Sequence, residues 1–234
     1  MTVTRLLVVQ HEDDCPPDLF DGWLSALGVQ LDLVLAHRGE PVPPKLEADG
    51  LLVLGGHMGA GDDATSPWLP ATKELIQLVV DDDAPFLGIC LGHQLATVAL
   101  GGIVERNPGG TTRGVVPIGL TDAGRDDPLL GPHEGDPSIH WNGDIATVVP
   151  PGASVLATSP DGTVQALRFG ERAWGVQFHP EASMATVEGW AAERTPHRAV
   201  ADRVNAALAD VISSEEHLLS SWEPFARRFA AILR

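Results

Sequence analysis

The chain has no tyrosine, two cysteines, and only 15 Lys and Arg against 32 Asp and Glu, a formal net charge of −17. The missing tyrosine carries no functional implication. The scarcity of positive charge excludes a phosphate-backbone binder, because counterion release needs clustered Lys and Arg. No apolar run approaches the ~20 residues of a membrane-crossing helix. The opening MTVTRLLVVQH is apolar over too short a stretch for a signal peptide and lacks a small-residue cleavage site. Cys15 and Cys90 make no disulfide framework, so a reducing, cytoplasmic setting is expected. The nine histidines form no HExxH, and there is no CxxC and no His-rich cluster, so no metal is expected. There is no nucleotide-binding fingerprint, and the glycine-rich GGHMGAGDD is followed by neither Lys-Ser nor Lys-Thr. No cofactor is expected.

Present instead is ample core-forming material, 44% hydrophobic residues with 20% charged. No repeat or linker divides the chain, so one domain over residues 1–234 is expected. Strands are expected at Leu6–Gln10, Leu31–Leu35, Leu51–Leu54 and Pro85–Ile89. Helices are expected over Asp18–Leu27, Trp68–Val80 and Leu91–Leu100, with the Pro-rich HRGEPVPPKLEADG as a loop. Alternation of this kind predicts an α/β fold, a mostly parallel central sheet with helices on both faces. From Gly101 to Phe178 the segments are short and β-rich, with strands expected at Val115–Leu120, Val155–Ala157, Val164–Phe169 and Ala173–Gln177. The acidic TDAGRDDPLLGPHEGDP reads as an exposed loop. From about residue 186 to 234 a helical extension is expected, burying Val204, Leu208, Val211, Leu218, Trp222, Phe225, Phe229 and Ile232.

Cys90 sits in GICLGHQLA, where an apolar strand runs through Gly-x-Cys-x-Gly into a helix. Gly88 and Gly92 allow a sharp strand-to-helix turn without Cβ clashes, the nucleophile-elbow pattern with sulfur in place of oxygen. The helix N-terminus favours a thiolate. The plainer reading is a buried structural cysteine. Cys15, in EDDCPPD, has no comparable setting and reads as incidental. His179 and Glu181, in GVQFHPEAS, are two apart and share a face in extended geometry. Glu181 could then fix the imidazole tautomer while His179 presents its other nitrogen to a thiolate. The plainer reading is a surface His-Pro-Glu turn. Gly55 and Gly56 follow a strand, where a backbone N–H could face a developing oxyanion or simply turn the chain.

Together the GG loop, GICLGHQLA and FHPE resemble a class I glutamine amidotransferase in the family's order, over roughly residues 50–185. The nearest flavour is that of GMP-synthase-like stand-alone amidotransferases. GGHMGAGDDATSPWL resembles their GGPMS-type loop, with His57 where proline is usual. NPGGTTRGVVPI resembles their NPGGREIGW-type segment without the Arg-Glu pair, and IHWNGD resembles HWHGD with Asn142 for histidine. The resemblance implies a flavodoxin-like fold with a small β-rich subregion and a helical tail. It implies Cys90 as nucleophile, His179 as general base and acid, and Glu181 as its orienter. It further implies Gly56 and Leu91 as oxyanion donors, and Gln94, Trp141, Asn142 and Asp144 as substrate contacts.

The activity so implied is hydrolysis of the glutamine side-chain amide through a γ-glutamyl thioester, with release of ammonia. The sequence contains no SGGxDS or Walker loop, so either a separate synthetase accepts the ammonia or the chain acts alone on a γ-glutamyl small molecule. Two alternatives stand beside this reading: a stand-alone γ-glutamyl peptide hydrolase, and a non-catalytic binding or regulatory homologue. Neither nucleic acid nor membrane is expected as a partner.

Overall fold

The structure, a computed structural model, describes residues 3–192 and 198–234. Residues 193–197, within the helical extension expected from 186 onward, lie outside the described residues. The chain opens with β1 (Thr4–Gln10), α1 (Leu19–Ala26), β2 (Val29–Leu35), β3 (Gly50–Val53), α2 (Leu69–Asp81), β4 (Phe86–Ile89) and α3 (Leu91–Ala99). It continues through β5 (Ile103–Arg106), β6 (Thr112–Pro117), β7 (Gly119–Leu120), α4 (Asp122–Arg125), β8 (Pro137–Asn142), β9 (Asp144–Val148), β10 (Ser154–Thr158), β11 (Val164–Gly170) and β12 (Ala173–Val176). It closes with α5 (Met184–Ala192) and α6 (Arg198–Ile232).

The main sheet has the order β2-β1-β3-β4-β12-β11-β10-β7. Pairing is parallel from β2 to β12 and antiparallel from there to β7. Strands covered on both faces are expected to be apolar throughout rather than alternating, and all four residues of β3 and of β4 are buried. Alternate residues still divide between two cores. Leu6 and Val8 pack with Phe20 and Leu24 of α1 and Phe225 and Phe229 of α6. Leu7 and Val9 face Leu75, Ile76 and Val79 of α2 and Leu91 and Leu95 of α3. The expected buried residues of the helical extension thus cover one face of the sheet. Leu208 and Ile232 are only partly buried there.

Three expectations need correction. Val115–Leu120 is two strands in different sheets: β6 pairs with β8, while β7 joins β10. Pro117 closes the first ladder, having no N–H to donate, and the next amide, Ile118 N, turns to Asp136 O at 2.9 Å. The acidic stretch after β7 is not simply exposed. Leu129 and Leu130 are fully buried, and the buried Asp127 carboxylate accepts from the Leu129 and Leu130 amides and the Trp174 indole. Apolar burial and a satisfied carboxylate together override the charge pattern there. The strands expected within the β-rich stretch also leave out β5, β8 and β9. The antiparallel pairs β5–β9 and β6–β8 stand apart from the main sheet, and β8 and β9 carry the IHWNGD motif.

Candidate active site

The strand-to-helix turn after β4 is tight, and glycine accounts for it on two neighbouring strands. Gly88 of β4 pairs with Gly175 of β12. A Cβ at Gly88 would lie 2.6 Å from the Gly92 carbonyl carbon and oxygen, and one at Gly175 would lie 2.6 Å from His93 Nδ1. A Cβ at Gly92 would collide with the Val53 carbonyl. The first turn of α3 therefore sits directly on the sheet, and no larger residue fits between. His93 is wholly buried beneath it; burial pushes its pKa down to about 4, so it stays neutral.

The backbone distortion falls on Cys90 itself, at φ 50°, ψ −103°. Positive φ is unfavourable for a residue with a Cβ, of order 1–3 kcal/mol, and the surroundings must hold it. Here the Cys90 amide donates to Val176 O at 2.8 Å, and its carbonyl accepts the Gln94 amide at 3.0 Å. The side chain is left at the head of α3, where the helix's partial positive charge is greatest.

His179 lies just beyond β12, its amide bonded to Ile139 O at 2.8 Å. Its Nδ1 is 2.8 Å from Glu181 Oε1, and both side chains are buried. Burial alone would push the His179 pKa down. The charges of Glu181 and Cys90, with their hydrogen bonds, outweigh it and hold His179 well above its ordinary value, at about 10. Gly55 marks where these groups converge. A Cβ there would lie 3.1 Å from His179 Cε1 and 3.7 Å from Cys90 Cβ. The neighbouring Gly56 is as tight, because a Cβ would meet Met58 Sδ at 2.7 Å and Leu91 Cδ2 at 3.0 Å. Neither glycine has positive φ; close approach, not a turn, accounts for both.

A pocket of about 220 Å³ opens over Cys90. All nine residues expected at the site fall in this region, and Gly56, Cys90, Gln94, Trp141, Asn142 and Asp144 line the pocket. Three of the expected contacts are tied to one another. Gln94 Nε2 donates to Asp144 O at 3.1 Å and to Gln177 Oε1 at 3.2 Å, and Asn142 Nδ2 donates to the same Asp144 carbonyl at 3.0 Å. The Asp144 carboxylate pairs with Arg106 at 3.0 Å. Gln94 and Asn142 thus use their amide donors to fix the pocket wall.

The sequence reading missed Arg106 and Arg113, which also line the pocket, with Arg113 stacked over Trp141 at 5.7 Å. Arg113 lies in the stretch where NPGGTTRG departs from the family pattern and Arg106 just before it, but nothing local in either marks a pocket residue. His57 lines the pocket too and faces the Glu12 carboxylate. Cys15 is closer to the site than its acidic neighbours suggested. It is buried, and its Sγ is 3.9 Å from the same Gly55 point that marks Cys90 and His179. Burial first, then the Asp14 charge, pushes its thiol up, so it remains protonated. Glu12, Asp14 and Cys15 are the one grouping among the described residues that offers three ligand atoms within 4.8 Å.

The family model for Glutamine amidotransferase class-I matches residues 23–190. A glutamine amidotransferase-like protein of Salmonella typhimurium, YfeJ, is 32% identical over 191 residues, covering 79% of each chain. A subunit of the glutamine-hydrolysing GMP synthase of Halobacterium salinarum is 36% identical over 159 residues, 67% of this chain and 77% of that one. The crystal structure of a glutamine amidotransferase from Thermotoga maritima superposes with a TM-score of 0.83 at 24% identity, over 98% of this chain and 99% of that one, and shows the shared fold. The motif order, the doubly covered sheet and the extent of the family match lead to one conclusion: the chain belongs to the class I glutamine amidotransferase family.

Proposed function

We propose that this protein hydrolyses the side-chain amide of glutamine, with Cys90 as nucleophile, His179 as general acid and base, and Glu181 as the carboxylate that orients His179. The observation that carries the reading is the buried 2.8 Å His179–Glu181 contact beside a cysteine held at positive φ on a helix head. Because Glu181 and Cys90 hold His179 well above its ordinary value, the imidazole stays protonated near neutrality and has a proton to give to a leaving nitrogen.

In this mechanism the Cys90 thiolate attacks the amide carbon. Charge develops on the carbonyl oxygen, where the Gly56 and Leu91 N–H groups would stabilise it by about 3 kcal/mol each. The amide of Gly92 is committed to Leu54 O at 3.1 Å, which sets the turn that aims its neighbour. His179 donates its proton to the leaving nitrogen, ammonia departs, and a γ-glutamyl thioester remains. His179 then takes a proton from water, whose oxygen attacks the thioester carbon; glutamate and the thiolate are released.

The pocket suits an α-amino acid head. Arg106 and Arg113 complement a carboxylate, and the Asp144 carboxylate complements an ammonium. Likeness to one subunit of a GMP synthase supports a separate synthetase as the ammonia acceptor. No described helix is long and apolar enough to cross a membrane. The decisive experiment is ammonia release from glutamine, compared with asparagine and a panel of γ-glutamyl peptides and amines. Glutamine is expected to be preferred, and Cys90→Ala to fold with an unchanged melting temperature and release no ammonia. Preference for γ-glutamyl peptides would select the hydrolase alternative with the same catalytic residues. Wild-type turnover by folded Cys90→Ala would remove the nucleophile assignment.

A further inference from the structure

The Glu181 carboxylate holds His179 at one ring nitrogen and Cys90 bonds its side chain as well, but hydrogen bonds to ring nitrogens do little to oppose rotation of the imidazole out of its plane. Something must hold its plane if Nε2 is to stay aimed at Cys90. The ring that meets it is Trp190 of α5, with centroids 4.6 Å apart and planes tilted by 56°. Trp190 is buried, and its Nε1 donates to Asp14 O at 2.9 Å in the loop between β1 and α1. That same loop fastens the start of α5. The Asp18 carboxylate, on a residue held at φ 45°, accepts from Ser183 N and Thr186 Oγ1, both at 2.6 Å. Leu19 N donates to the Glu181 carbonyl at 3.1 Å. The indole is therefore pinned at its nitrogen and along its helix, and is itself a fixed wall.

Trp190 also meets Trp141 at 6.1 Å, and Trp141 carries the Arg113 guanidinium. A run of tilted ring contacts, Arg113–Trp141–Trp190–His179, thus joins the pocket wall to the imidazole. We propose that Trp190 is a positioning residue for His179: its indole fixes the imidazole plane and shields the imidazolium from water. The indole face also favours the cationic form of the ring beside it. This inference rests on the reading of Cys90 and His179 as the reacting pair.

The test compares two substitutions that both keep an apolar side chain, Trp190→Phe and Trp190→Leu. Phenylalanine preserves an aromatic face; leucine fills space without one. The first readout is the rate of Cys90 alkylation by iodoacetamide at pH 7, which needs no glutamine. The second is ammonia release from glutamine. Trp190→Phe is expected within about threefold of wild type in both. Trp190→Leu is expected to lose tenfold or more in alkylation rate and in kcat, with KM within about twofold. Should Trp190→Leu be recovered only unfolded, Trp190→Met takes its place. Equal alkylation rates for the aromatic and aliphatic variants would overturn the proposal, as would a loss carried by KM. A wild-type protein inert toward glutamine but showing the expected alkylation difference would retain the role of Trp190 and remove the glutamine reading.

Discussion

Cys90 and the pocket wall come from two regions built on different principles. Around Cys90 the backbone does the positioning: closely spaced glycines, a parallel ladder and a helix laid on the sheet leave no room for a Cβ at Gly88, Gly92 or Gly175. The wall formed by β5, β6, β8 and β9 is held by side chains instead, through Arg106–Asp144, Asn142–Asp144 and Arg113 on Trp141. Backbone-held geometry tolerates almost no substitution. Side-chain-held geometry can be rewritten one residue at a time, which is how one chemistry can acquire different substrate preferences on one fold.

The largest expected effect reaches both regions at once. His11 and His93 in the parallel half and His140 in β8 are each pushed by burial from 6.5 to about 4. Below pH 6.5 the unfolded chain takes up protons at these positions and the folded chain does not. Stability therefore falls from about pH 6.5 down to about 4, by up to about 3 kcal/mol per histidine. His179 has the opposite sign: its contribution is complete below pH 6.5 and is lost as the pH rises toward 10. Urea unfolding at pH 7, 5.5 and 4 checks this, and a flat profile over that range would contradict it.

Glu181→Gln is next. It keeps the shape beside His179 but removes the charge that stabilises the imidazolium, so kcat is expected to fall by about 10²–10⁴-fold with the fold intact. Steady-state ammonia release with a parallel thermal melt would show both. Gly92→Ala tests the backbone-held side. The added methyl meets the Val53 carbonyl, so unfolding free energy should drop by about 3 kcal/mol, and activity with it. Wild-type stability would mean that α3 can lift off the sheet. Arg113→Ala tests the side-chain-held wall. Loss of a charge-assisted contact of about 1.5 kcal/mol should raise KM for glutamine about tenfold while kcat changes little. An equal loss in kcat would place Arg113 closer to the chemistry than the pocket wall.

The contrast also explains what could be read in advance. The elbow and the FHPE segment were legible because glycine at fixed offsets and apolar strands are local patterns, and Gly88, Cys90 and Gly92 span a few residues. The expected helices α1, α2 and α3 and strands β1–β4 lie within a few residues of their observed bounds for the same reason. The wall was not legible. Arg113 reaches the pocket because β6 pairs with β8, placing Arg113 opposite Trp141, and a strand register between distant segments leaves no local trace. The acidic neighbours of Cys15 in sequence mislead, because its position depends on where the loop after β1 folds back against Gly55. Trp190 looks like one more apolar residue of a helix, and only the fold sets it against His179.

The place of β12 has a consequence for how the molecule is made. It enters between β4 and β11 as an interior strand, yet it is synthesised long after β4, and 83 residues separate Gln94 from the Gln177 it binds. Until β12 emerges, β4 presents an unpaired, wholly apolar strand edge, the kind of surface on which chains aggregate. Non-local pairing of this type also makes for high contact order and slow folding. The rung that carries the Cys90 amide to Val176 cannot close before β12 is made, so a nascent or truncated chain that stops before Ala173 has neither that rung nor a protected sheet.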